Sequence, residues 1–378
     1  MKRLFLVVVA CLATVYAQGQ TATLQQGDTM TPFYGEDAFV QAYNAAKSDA
    51  VIILSSGSFN TVDSITKQVT IIGNGSNVTQ LKYKNIRHGG SEKVTNLIIK
   101  ANNVKIEGAS FPYGLYMRNV TNTLFRNCKI QELHATNIHS NTILDQCRVT
   151  DLYALNKAEN MCIKNSFILY LYGGENTSSS YKKTNTTSNP VTFINCAIRE
   201  WYSFYKAENY QLNYCYPPKG VYRNCILGQL NYSDENIWSG SDTLGKYQYY
   251  QHYNISIFSQ TGCDLYNNVF FLYPRSWVKT SAGYWSGELN EDLKTKEPNL
   301  KITTNNNTSS TWAELFNDEQ ELKCDIPYMG DDGTMVGPYG GTGFSSTPNI
   351  PRIVESEIDS STDAEGKLNV RIKVELNN

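Results

Sequence analysis

Four segments of the chain align without gaps at a step of 19 residues: Ile106-Glu107-Gly108-Ala109-Ser110-Phe111, Phe125-Arg126-Asn127-Cys128-Lys129-Ile130, Leu144-Asp145-Gln146-Cys147-Arg148-Val149 and Ile163-Lys164-Asn165-Ser166-Phe167-Ile168. After a longer gap the pattern returns at Phe193-Ile194-Asn195-Cys196-Ala197-Ile198. It then recurs less cleanly near Leu212, at Tyr222-Arg223-Asn224-Cys225-Ile226-Leu227, and from Leu265 to Phe270. A second register keeps the same step through Asn103, Asn122, Asn141 and Asn160, and Lys157-Ala158-Glu159-Asn160 is repeated as Lys206-Ala207-Glu208-Asn209, where Asn209 is expected to open a later coil. Two registers held over several units require an architecture of stacked, equivalent coils.

Each unit holds short apolar-alternating runs and no stretch of helical period long enough for a helix, so the coil is built of β-strands. Stacking brings equivalent residues of successive coils to about 4.8 Å, and like residues form ladders along the axis. Phe111, Ile130, Val149, Ile168 and Ile198 form one apolar column, and Leu133, Leu152, Leu171 and Trp201 a second; both are expected to face inward. The Asn columns suit corners, where Asn tolerates left-handed backbone and its amide can bond to the next coil. Cys128, Cys147 and Cys196 share a column with Ala109 and Ser166, which asks for a small side chain and favours buried free thiols over disulfides. No Cys-X-X-Cys or His-rich spacing suggests zinc.

Among 378 residues, Lys+Arg 33 against Asp+Glu 35 leaves a net charge of -2, which argues against a nucleic-acid partner. Met1-Lys2-Arg3, the apolar run Leu4 to Ala13 and the small Ala17 read as a secretory signal over residues 1–17, so the mature protein is expected to be exported, to the periplasm, cell surface or medium. That run is too short to span a membrane, and no later segment is apolar enough to do so.

The asparagine ladders and stacked like residues resemble those of the right-handed parallel β-helix proteins, the superfamily that includes pectate lyases and polygalacturonases. The segment Glu36 to Lys47 has helical spacing and precedes Val51-Ile52-Ile53-Leu54 and Gly57, which resembles the helix that caps the first coil in that family. Asp332-Gly333-Thr334-Met335-Val336-Gly337-Pro338-Tyr339-Gly340-Gly341 and the final run Gly366 to Leu376 resemble the ending of secreted β-helix proteins of gut anaerobic bacteria. The resemblance implies an all-β, right-handed parallel β-helix over residues 18–300, with an N-terminal cap helix at about 36–47 and a C-terminal cap and β tail over 301–378. It carries over no catalytic residue: Arg87-His88-Gly89-Gly90 lacks the aspartates and Gly-His-Gly of polygalacturonases, and no Asp-His signature of pectate lyases is present.

Seven residues beyond one corner position lie His134, Tyr153, Tyr172 and Tyr202, with Leu115 expected in the coil before. Their parity is opposite to that of Leu133, Leu152 and Leu171, so the column should face outward and offer an aromatic strip to sugar rings. Polar, aromatic-rich insertions follow it, carrying Trp238 and Trp285 among others, and long loops on a rigid scaffold commonly line a groove. Two residues before the column, Glu132, Asp151 and Glu200 recur with Tyr170 among them; outward carboxylates are candidates for Ca²⁺ ligation or for acid and base work on a glycosidic bond. The reading is a monomeric, exported polysaccharide-binding β-helix for which Ca²⁺ is the one candidate cofactor. The alternatives are a polysaccharide lyase or glycoside hydrolase using the same groove, and a structural or adhesive envelope protein without a sugar ligand.

Overall fold

The computed structural model describes residues 20–83, 86–88, 91–93, 96–135, 139–153, 158–172, 191–202, 218–230, 263–271, 306–308, 312–345, 352–358 and 370–375. Every strand pair between successive coils is parallel. The first sheet runs through Ala50–Leu54, Val69–Ile72, Lys105–Glu107, Leu124–Arg126, Ile143–Asp145, Cys162–Lys164, Val191–Ile194, Gly220–Arg223 and Asp264–Tyr266. The second follows it in each coil, through Ser110–Met117, Lys129–His134, Arg148–Tyr153, Phe167–Tyr172, Ala197–Tyr202, Ile226–Leu230, Val269–Phe271 and Asn306–Thr308. A short third sheet, Val120–Thr121, His139–Ser140 and Ala158–Glu159, closes three of the coils. With the right-handed crossover that joins parallel strands, this is a right-handed parallel β-helix.

The two sheets meet at a sharp corner where the chain is left-handed at Gly108, Asn127, Gln146, Asn165, Asn195, Asn224 and Asn267, with φ between 46° and 64°. The Asn103, Asn122, Asn141 and Asn160 corner is left-handed as well, and its amides form the expected ladder: Asn122 Nδ2 donates to Asn103 Oδ1 (2.9 Å), Asn141 to Asn122 (3.0 Å) and Asn160 to Asn141 (3.3 Å). Gln68 extends it downward by accepting from Asn103 Nδ2, a rung that the Asn spacing did not announce. The expected repeat near Leu212 lies outside the described residues. Val191–Ile194 bonds directly to Gly220–Arg223, pairing Phe193 with Tyr222. Asn209 also lies outside the described residues.

Both apolar columns point inward as expected. Ile130, Leu133, Leu152, Ile168 and Ile198 are fully buried, while Trp201 has a described backbone only. The first sheet adds Ile52, Ile71, Ile106, Phe125, Leu144, Ile163, Phe193, Tyr222 and Leu265 in one column. At about 1.5–3 kcal/mol per buried large side chain, these columns supply the driving force for stacking. The thiol column is buried and free, but it is more than a space filler. Each Sγ–H donates to a carbonyl beside the corner, Cys128 to Arg126 O (3.2 Å), Cys196 to Ile194 O (3.3 Å) and Cys225 to Arg223 O (3.2 Å). Ser166 does the same with Lys164 O (2.6 Å), and Asn268 takes the place in the last coil, donating to Tyr222 O.

The N-terminal helix is shorter than expected, Ala38–Ala45, because Ala46 is already extended. It buries Ala38, Phe39, Ala42 and Tyr43 against the first coil, and Lys67 Nζ satisfies its terminal carbonyls at Tyr43, Asn44 and Ala46. A hairpin, Thr21–Gln26 and Thr29–Tyr34, turns at Gly27 (φ 58°) and adds antiparallel to Ala50–Leu54, leaving Pro32 in the outermost strand, where a missing N–H costs no pairing. Arg352–Ile358 and Val370–Glu375 form an antiparallel pair.

Candidate functional site

The outer surface of the second sheet carries a continuous ring stack. Tyr116 and His134 lie with centroids 4.1 Å apart and planes 4° from parallel, His134 and Tyr153 at 4.3 Å and 11°, Tyr153 and Tyr172 at 4.3 Å and 18°. The parallel register creates the stack: His134 pairs with Tyr153 across neighbouring strands, and identical outward positions must then fall one above another. Tyr202 pairs with Tyr172 in the next strand and so holds the same register position. Its side chain, like Trp238 and Trp285, lies outside the described residues.

One member of this column differs from expectation. Leu115 pairs with Leu133 and is fully buried, while Tyr116 pairs with His134. The strand Ser110–Met117 carries one extra residue between Phe111 and Gly114, and this bulge shifts everything after it by one position. The aromatic at 116 was visible in the sequence; the bulge that turns it outward was not.

The stack also changes what the strip can offer a ligand. Rings at 4.1–4.3 Å cover one another's faces, so the ridge presents ring edges and hydroxyls along its length. Beside it runs a polar row. Glu132 pairs with Asp151 on neighbouring rungs, Tyr170 takes the next position and Glu200 the one after, so only the first two carboxylates are adjacent. His134 Nε2 lies 3.1 Å from Glu132 Oε2, and Glu200 is held by Arg199 Nε at 3.2 Å. The Tyr172 hydroxyl donates to the Asp151 carboxylate, bridging two rungs. Among the described residues no group of three or more His, Cys, Asp or Glu side chains stands close enough to hold a metal ion.

Burial is the main influence on the titrating groups here. It raises the Asp151 carboxyl above the usual carboxylate range, against the opposing hydrogen bond from Tyr172, and neighbouring Glu132 adds to the rise. Burial and then Asp151 push the Tyr172 hydroxyl well up, and burial and Asp151 raise Tyr153 too, so both phenols stay neutral hydrogen-bonding groups. The edge of the stack is therefore a row of hydroxyl, imidazole and carboxylate groups repeated once per coil. The segments 173–190, 203–217, 231–262 and 272–305, which lie outside the described residues, each follow a second-sheet strand in sequence, after Tyr172, Tyr202, Leu230 and Phe271.

A second surface was not expected from the sequence. Residues 312–345 lie along the second sheet's outer face nearest the left-handed corner. Phe167 there meets Trp312, Phe316, Tyr339 and Phe344 edge-on at 5.1–6.4 Å, and Ala197, Ile226 and Val269 are covered by the same segment. The corner amides turn outward to it: Asn127 Nδ2 donates to Ser345 O (2.7 Å), Gln146 Nε2 to Gly343 O (2.6 Å), Asn165 Nδ2 to Gly340 O (2.5 Å), Asn195 Nδ2 to Asp332 (3.2 Å) and Asn224 Nδ2 to Asp331 (2.9 Å). The strap thus descends the solenoid against its winding direction and closes that face, leaving the ring ridge on the part of the sheet that it does not cover.

Fold and site together define a parallel β-helix with an outward aromatic and acidic ridge. No family model and no curated protein matches the sequence. Among solved structures the chain is similar to a crystal structure of a variant pectin methylesterase in complex with a hexasaccharide, at 11% identity and a TM-score of 0.37, covering 76% of this chain and 93% of that one. The assignment of the fold rests on the strand pairing of this chain itself. Among the described residues no helix is long and apolar enough to cross a membrane.

Proposed function

We propose that this is an exported β-helix protein that binds polysaccharide along the ridge Tyr116–His134–Tyr153–Tyr172. The observation that carries the reading is the repetition, once per coil, of a half-buried ring edge beside a hydrogen-bonding side chain. A polymer of sugars offers hydroxyls at regular intervals, and a rigid ladder meets them without an ordering cost in the protein. Contact is through ring edges, phenol hydroxyls and carboxylates rather than through ring faces. The leader Lys2-Arg3 with the apolar run after it supports export. The test is affinity electrophoresis of the mature protein through gels containing different plant and host polysaccharides. Tyr153→Phe/Tyr172→Phe, which keeps the stack, and Tyr153→Ala/Tyr172→Ala, which breaks it, run beside the wild type. Retardation of the wild type by at least one polysaccharide, weakened in the Phe variant and lost in the Ala variant, is the expected result. Equal mobility in every gel would favour a structural envelope role.

A further inference from the structure

The polarity of the ridge restricts the charge of the chain it takes, an inference that rests on the polysaccharide reading of the same site. Glu132 and Asp151 stand on neighbouring rungs, and among the described residues neither is paired with a lysine or arginine: Glu132 faces His134 Nε2 and Asp151 accepts from Tyr172. Asp151 and Glu132 both act on Tyr153, and Asp151 acts on Tyr172. Among the described residues the nearest cations are elsewhere. Arg118 acts on Tyr116 at the lower end of the stack, and the Arg199 guanidinium is taken up by Glu200. Among the described residues the middle of the ridge is therefore electronegative, with Glu132 and Asp151 on neighbouring rungs.

Carboxylates accept strong hydrogen bonds from sugar hydroxyls, and Glu132 and Asp151 are placed to do so in successive coils. A polyuronate would bring a carboxylate of its own to each sugar in the same row, so repulsion would recur along the chain. We infer that the ridge selects an uncharged polysaccharide and rejects polyuronates and sulfated glycans. The selectivity is electrostatic, so it weakens with salt, which screens surface charges within about 8 Å at physiological ionic strength.

The experiment compares dissociation constants of the mature wild type for soluble neutral glucans, galactans and xyloglucan with those for polygalacturonate, at low and high salt. Glu132→Gln/Asp151→Asn is run in parallel. The expected result is at least tenfold weaker binding of polygalacturonate at low salt, with the gap narrowing at high salt and in the double variant. The salt series needs no variant, so it stands even if the double substitution disturbs folding. Polygalacturonate bound as tightly as the best neutral polymer would overturn the inference and leave the polysaccharide reading intact. Absence of binding to every polymer would overturn both.

Discussion

The imidazole of His134 is sandwiched between Tyr116 and Tyr153, 4.3 Å from the Tyr153 centroid and nearly parallel to it, while its Nε2 reaches Glu132. Tyr153 in turn stacks on Tyr172, so it is the ring on which the continuity of the ladder depends. Tyr153→Ala removes two ring contacts worth about 0.5–1.5 kcal/mol each beyond their buried area. Chemical denaturation should show a loss of about 1–3 kcal/mol, and Tyr153→Phe should lose far less. Equal losses would mean that the hydroxyl, and not the stack, holds this rung.

If the ridge binds a polymer rung by rung, affinity should depend on ligand length. Titration calorimetry with a series of neutral oligosaccharides should show affinity rising with each added sugar and levelling off once the four stacked rings are spanned. No reducing ends should be released during the titration. A flat series, or release of product, would replace the binding reading with a single-sugar site or a catalytic one.

His139 is fully buried in the inward column of the third sheet, with Nδ1 3.1 Å from Thr142 Oγ1 and no partner at Nε2. Burial lowers its pKa from 6.5 to about 4, so the folded protein keeps it neutral. The unfolded chain takes up this proton first on acidification. Stability is therefore full above about pH 6.5 and falls as the pH drops toward 4, by up to about 3 kcal/mol from this group. His139→Val, which matches Val120 in the coil below, should flatten that part of the pH–stability curve. An unchanged slope would assign the acid sensitivity elsewhere.

The strap should fail at lower pH. Asp331 accepts from Arg223 and Asn224, and the Arg223 hydrogen bond, as the largest influence, holds its carboxyl below the usual range. Such a group stabilises the fold above its unfolded-state pKa and loses that contribution as the pH falls through the lower folded value. Protease cleavage within 312–345 should accelerate below about pH 4, and Asp331→Asn should show the same acceleration at neutral pH. Gly341→Ala should act similarly, because Gly341 is left-handed at φ 57° and its missing Cβ leaves the space that Asn195 Nδ2 occupies.

The thiol column predicts a labelling pattern. Cys324 is exposed and should react with a thiol reagent at once, while Cys128, Cys147, Cys196, Cys225 and Cys263 are buried and should react only on unfolding. Burial raises the Cys147 and Cys196 thiols further from reactivity. Cys196→Ser should be tolerated, since Ser166 occupies the same position and donates to the same kind of carbonyl; Cys196→Val, which cannot donate, should destabilise the corner.

The sequence by itself determined the coil, its two sheets, the inward columns and the Asn103–Asn160 ladder, because each rung repeats its neighbour and a repeated residue can only stack on its own copy. It also placed His134, Tyr153 and Tyr172 in one outward column, since parity within a strand is a local property. Three features depended on tertiary structure. The bulge after Phe111 exchanged Leu115 for Tyr116, which no count along the chain reveals because the extra residue is defined only by the partner strand. Ring orientation within the stack turned faces into edges, a consequence of χ angles chosen by packing between coils. The strap 312–345 recognised Asn127, Gln146, Asn165, Asn195 and Asn224 across more than a hundred residues of chain. It has no repeat of its own to align with the solenoid, so its place could be decided only where the corner amides and the Phe167 face came together in space.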